Sequence, residues 1–240
     1  MNYLHLGIYF WFDICDEEQD LFKSLNEKFN HVFKSFYYDE LDEKDIFSPV
    51  ISGYNKENKS SMSVSRICCQ YHLEDLTEES IDTFRNNSLE LFNILEDNSI
   101  KVLYVSANIS AIRKHDLPLE ELKKIFKSDI DFKNLLEMNL KFTSLVDEQY
   151  TETIQIINNK KVELTKIVDE KDREIPFNLL SLGDLNIVDE GFLFEYELTD
   201  RYLYDTNKNY NTTEFHVNKI LYTIKDNFEN EVERYLKLHS

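Results

Sequence analysis

Residues 3–14 alternate between two faces. Leu4, Leu6, Ile8, Phe10, Phe12 and Ile14 fall on one, and Tyr3, His5, Tyr9, Trp11 and Asp13 fall on the other. A period of two with one wholly apolar face predicts a β-strand. The acidic run Asp16-Glu17-Glu18 suits the positive end of a helix dipole. A stripe of Leu21, Leu25, Phe29, Val32, Phe33 and Phe36 follows at helical spacing. Residues 37–45 then read as an acidic loop. Residues 48–54 and 61–73 predict a strand pair joined by a polar turn over 55–60. Thr77 is placed to cap a second helix whose first turn holds Glu78 and Glu79. Its buried stripe is Ile81, Phe84, Leu91, Phe92 and Leu95. A long strand follows, with Leu103, Val105, Ala107, Ile109 and Ala111 on one face and Tyr104, Ser106, Asn108 and Ser110 on the other. Asp116-Leu117-Pro118 opens a short helix reaching Phe126, with proline near the first helical position.

The remainder is richer in strands. Residues 140–146, 150–158 and 161–168 predict three, the last two joined by a turn at Asn158-Asn159. Residues 176–186 are irregular. Phe192, Phe194, Tyr196 and Leu198 mark one face of another strand. Residues 202–212 are a polar loop, after which Thr212 or Thr213 caps a long final helix. Phe215, Ile220, Leu221, Ile224, Phe228, Val232, Tyr235 and Leu236 form its stripe. The fold class is therefore α+β, with two halves of curved antiparallel sheet, each packed against long helices. The first half, residues 1–130, runs β-α-β-β-α-β. The second, residues 131–240, is β-rich and ends in the long helix. An edge strand over 150–158 would leave room for a homodimer.

The layout carries a resemblance. A long strand runs into Arg113, Leu117, Pro118 and Leu119. A hairpin-rich half follows, then the alternating strand Phe194-Glu195-Tyr196-Glu197-Leu198 and a terminal helix. This order resembles a sporadically distributed, uncharacterised bacterial family of two-part α+β proteins of similar length. The family's Arg-rich central strand is represented here by Arg113 alone. The resemblance implies a fold class and no activity.

Charge changes the picture more than composition does. With 27 Lys+Arg against 46 Asp+Glu, the formal charge is −19. That excludes unaided electrostatic binding to nucleic acid or anionic lipid. An aromatic content of 13% excludes an acidic disordered chain. Residues 13–45 hold eleven acids and four bases, and residues 74–97 hold eight and one. Residues 175–205 hold seven and one, so these three stretches carry about the whole net charge. The odd set Cys15, Cys68 and Cys69 is no disulfide framework and indicates a reducing compartment. The N-terminus lacks a basic leader and no segment is long and apolar enough to span a bilayer, so a cytoplasmic protein is expected.

Candidate chemistry is sparse. His72 with Glu74 and Asp75 is the nearest approach to a metal cluster, but it also fits a strand end before a capped helix. Cys68 and Cys69 lie beside Arg66 and His72, yet free cysteine is more often a small apolar core residue. Glu195 and Glu197 share a strand face, with Asp184 and Asp189 upstream. That set could hold Mg²⁺ for phosphodiester hydrolysis, although the position a nuclease gives to lysine is Glu197. Acids interleaved with tyrosine suit a basic protein partner. The residues are Tyr37, Tyr38, Asp39, Glu40, Asp42, Glu43, Glu74, Asp75, Tyr202 and Tyr204. The leading expectation is a non-enzymatic interaction module, an inhibitor, immunity protein or defence component, that needs no cofactor. The alternative is a metal-dependent phosphodiesterase using Asp184, Asp189, Glu195 and Glu197.

Overall fold

The computed structural model describes residues 2–15, 18–33, 35–38, 46–74, 76–114, 137–159 and 191–237. Its elements are β1 (Asn2–Phe12), α1 (Glu18–Phe29), β2 (Ser35–Tyr38), β3 (Ile51–Asn55), β4 (Ser60–Val64), β5 (Cys68–Leu73), α2 (Glu78–Asp97), β6 (Val102–Lys114), β7 (Glu137–Val146), β8 (Tyr150–Asn159), β9 (Gly191–Thr199), α3 (Arg201–Thr206) and α4 (Glu214–Lys237). Helices and a large antiparallel sheet make the chain α+β. Among the described residues there is one sheet in place of two, ordered β2-β3-β4-β5-β1-β6-β9-β8-β7. Strands from the two expected halves meet where β6 pairs β9. The boundary expected near residue 130 lies outside the described residues, as do the helix from Asp116 to Phe126, the strand over 161–168 and the irregular stretch 176–186.

Helices α1, α2 and α4 cover one face of the sheet. The alternating apolar positions from Leu6 to Phe12 of β1, Val105 to Ala111 of β6 and Phe192 to Leu198 of β9 belong to this core, while Leu103 gives its expected place to Val102. Leu6, Ile8 and Phe10 meet Val105, Ala107, Ile109, Phe194 and Tyr196. Against them lie Leu21, Leu25 and Phe29 of α1, Phe84, Leu91 and Phe92 of α2, and Val217, Ile220, Ile224 and Phe228 of α4, each at most 2% exposed. Thr77 caps α2 as expected, and Ser80 returns the bond to the Thr77 N–H.

Several expectations need correction. Strict alternation put Leu4 beside Leu6, but a register shift between Tyr3 and His5 inserts one residue. Tyr3 therefore faces α4, where its hydroxyl donates to Glu229 and its ring lies 6.1 Å from Phe228. Leu4 turns to the other face and joins Ile112, Ile157 and Leu193 in a separate cluster. Ile14, beyond the end of β1, is exposed. Helix α1 stops at Phe29, so Phe36 packs from β2, 5.6 Å from the ring of Phe22. The strand expected over 61–73 is two, because Ser65 turns the chain and its hydroxyl accepts the Cys68 N–H at 3.1 Å. The loop expected from Tyr202 begins as α3. Phe215 is exposed, and Val217 takes the buried place in its turn of α4. Strand β8 is internal, and among the described residues the edge role expected of it falls to β7.

Candidate functional site

The face of the sheet opposite the helices presents polar and aromatic side chains from its central strands. Pairing register sets them in rows. One row crosses β1, β6, β9, β8 and β7 as His5, Ser110, Glu195, Gln155 and Lys141. The next crosses β5 to β8 as His72, Gly7, Asn108, Glu197 and Thr153. A third begins Gln70, Tyr9 and Ser106, and a fourth pairs Trp11 with Tyr104. Cross-strand neighbours stand about 5 Å apart, and rows about 7 Å. Of these, His5, Tyr9, Trp11, Ser106, Asn108, Ser110, Lys141, Thr153, Gln155, Glu195 and Glu197 line a cleft of about 410 Å³. The apolar cluster of Leu4, Ile112, Leu193 and Ile157 lies at one end. Trp11 lies at the other, its ring stacked on Tyr104 at 5.8 Å.

The floor is tightly set. A Cβ on Gly7 would stand 2.6 Å from both Asn108 Oδ1 and His72 Nδ1. The glycine thus lets two side chains close over the strand between them. His5 and His72 are buried, with Nε2 and Nδ1 2.6 Å apart. Burial pushes His5 down to about 4. It also takes His72 well below the ordinary range, with His5 adding to the effect. Asn108 Nδ2 donates to the Tyr9 hydroxyl at 3.1 Å, and burial drives that phenol up to about 12. Among the described residues, Asn108 Oδ1 and Ser110 Oγ are buried with no hydrogen-bond partner.

Glu195 and Glu197 supply the charge. Burial raises both carboxyls above the usual range, and Lys141 opposes the shift in each. Arg201 also opposes it at Glu197. Lys141 is thus the cation that the spacing around Glu197 lacked, supplied from another strand. Arg201 lies over the Tyr104 ring at 5.4 Å, and Tyr204 packs on the same ring at 5.5 Å. An aromatic ladder of Trp11, Tyr104 and Tyr204 therefore leads from the cleft to the surface, with Tyr202 exposed on the same short helix.

The expected site residues are divided by this geometry. Glu195 and Glu197 line the cleft, Tyr204 reaches toward it through its contact with Tyr104, and Tyr202 is exposed on α3. Tyr37 and Tyr38 sit on β2, five strand positions from β6, which is about 24 Å at the usual spacing. Tyr37 is exposed there, while Tyr38 packs on Phe22 at 5.4 Å. Glu74 follows the end of β5. Asp39, Glu40, Asp42, Glu43, Asp75, Asp184 and Asp189 lie outside the described residues. His72 is turned to His5 in the cleft floor. Cys69 is in the core and Cys68 is buried on the cleft side, pushed up to about 12 by burial, the reverse of what a nucleophile needs. Arg66, the cation beside them, pairs with Glu18 at 3.0 Å. Among the described residues, no three metal-binding side chains converge.

Sequence reasoning passed over His5, Tyr9, Trp11, Asn108, Ser110 and Gln155. A signal was present: β1 and β6 each pair an apolar face with one of hydroxyls, amides and rings. Two central strands with such faces predict an uncovered polar surface. No protein-family model matches the chain, and no curated protein matches it in sequence.

Proposed function

We propose that the protein is an interaction module that binds a basic protein partner through the cleft on the sheet face opposite helices α1, α2 and α4. The observation that carries this is the meeting of two partly buried carboxylates, Glu195 and Glu197, with Tyr9 and Trp11 in one cleft, Tyr104 stacking on Trp11 beside it. Carboxylates in a partly desolvated setting attract cations more strongly than the same groups in water. Aromatic faces add cation–π attraction. In this reading the acidic–aromatic surface is centred on the cleft and extends through Tyr104 to Tyr204. Tyr37 and Tyr38 are separate from it.

Trp11 is the single tryptophan, so its fluorescence reports on the cleft. Titration with a lysine- and arginine-rich polypeptide is expected to change that fluorescence saturably, and less so as salt rises. The Glu195→Gln/Glu197→Gln variant removes two of 46 acidic residues. A non-specific polycation effect would scarcely notice that loss, whereas cleft binding should fall at least about tenfold, one unit of 1.4 kcal/mol. Unchanged binding by the double variant overturns the proposal. Saturable Mg²⁺ or Mn²⁺ binding in calorimetry, lost in the same variant, would favour the metal-dependent phosphodiesterase instead.

A further inference from the structure

The cleft floor holds two oxygens without a hydrogen-bond partner among the described residues. Ser110 is 4% exposed and its Oγ has no partner among the described residues. Asn108 Oδ1 is likewise unpaired, and Gly7 leaves it room. Buried polar atoms are ordinarily hydrogen-bonded, so an unpaired one is a place where a donor recovers lost free energy. Ser110 is the register neighbour of Glu195, and Asn108 that of Glu197. Two carboxylates and two neutral oxygens therefore sit on a grid about 5 Å by 7 Å. An anion would meet the carboxylates and be repelled. An apolar group would leave the oxygens unpaired.

We propose that the cleft floor receives a guanidinium group, the arginine side chain of the protein partner, held by Glu195 with Ser110 Oγ and Asn108 Oδ1 as neutral acceptors. This rests on the interaction function above and names the group that enters. A guanidinium directs five N–H bonds outward in one plane and stacks on aromatic rings. It can thus satisfy acceptors on two strands while lying against Tyr9 or Trp11. An ammonium is a compact, strongly hydrated point charge and matches neither feature as well. Lys141 already stands near both carboxylates, but it is exposed and on the edge strand β7. Its flexible stem lets it move aside for an entering cation, so the charge of the cleft is conserved on binding.

Trp11 fluorescence titrations with methylguanidinium and methylammonium, at matched ionic strength, test the assignment. Methylguanidinium is expected to bind about tenfold more tightly. The peptide Gly-Arg-Gly is expected to exceed Gly-Lys-Gly in the same proportion. Ser110→Ala removes an oxygen that bonds to no described residue. It should not lower the urea midpoint, while weakening guanidinium binding about fivefold to tenfold. Equal binding of the two small cations, or undiminished binding by Ser110→Ala, overturns the inference. A preference confined to the small cations, absent from the peptides, overturns the arginine side chain as occupant. If the basic polypeptide still binds through Glu195 and Glu197 in those cases, the interaction function stands without this anchor. If it does not bind, that function falls too.

Discussion

His5 and His72 show how a residue acquires a property its position in the chain does not announce. They are 67 residues apart, yet their rings stack at 4.8 Å. His72 Nε2 lies 3.2 Å from Gln70 Oε1, so it is the donor there and Nδ1 is left to accept from His5 Nε2–H. Both rings are then neutral with consistent tautomers. The unfolded chain binds a proton at His5 near 6.5, while the folded chain resists until about 4. The resulting stability is full above 6.5 and is lost as pH falls through that interval. For His5 its maximum is on the order of 3 kcal/mol. The raised carboxyls of Glu195, Glu197 and Asp200 act in the opposite sense, gaining relative stability as pH falls. Comparison with a His5→Gln variant isolates the histidine. The difference in urea midpoint between wild type and variant should shrink as pH falls from 6.5 toward about 4. A constant difference would mean that His5 titrates as it does in the unfolded chain.

At the scale of elements, the β7–β8 hairpin is held at its tip by local strain and a distant anchor. Asp147 and Glu148 both have positive φ, 51° and 56°. Two such residues in succession suit the twist of a tight hairpin, but side chains other than glycine's oppose them sterically. Lys219 of α4 pairs with Asp147 at 3.0 Å and lies 4.5 Å over the Tyr150 ring, tying the tip to the helix layer. Glu148→Gly should therefore stabilise the protein by about 1 kcal/mol, seen as a higher urea midpoint; a lower midpoint would show that the turn tolerates its side chain without strain. Asp200 makes a comparable tie between β6 and the segment before α4. It is fully buried and accepts from the Val105 N–H at 2.7 Å, the Tyr210 hydroxyl at 2.6 Å and the Thr212 hydroxyl at 2.8 Å. Thr212 is thus committed to Asp200, and Thr213 begins the helix by accepting from the Val217 N–H.

At the scale of the molecule, the charge of −19 extends well beyond the cleft. Glu195 and Glu197 line the cleft itself. Most of the remaining surplus repels itself across the surface, which destabilises the compact state at low ionic strength. Thermal unfolding should therefore shift to higher temperature when salt rises from about 0.01 M to 0.15 M, as the screening length falls from about 30 Å to 8 Å. Over the same range, binding of a basic partner should weaken. A melting temperature insensitive to salt would mean that the acidic stretches are already neutralised by neighbouring cations.

Local chemistry made much of this chain legible before any fold was known. Alternation in β1, β6 and β9, the stripes of α2 and α4, and the Thr77 cap arise from periods and bonds that span a few residues. The same short range explains what was missed. The extra residue at Leu4 is visible only against a paired neighbour, since a bulge is a property of two strands. The exchange of Phe36 from helix to strand depends on β3 beside it. The cleft depends on strand order most of all, because β6 must pair with β9 before Ser110 meets Glu195 and Asn108 meets Glu197. That pairing is selected by burying the helix-facing side chains of the whole sheet at once, a global requirement that no local window contains. The residues of the cleft could be read one by one from the chain; their adjacency was set by the tertiary structure alone.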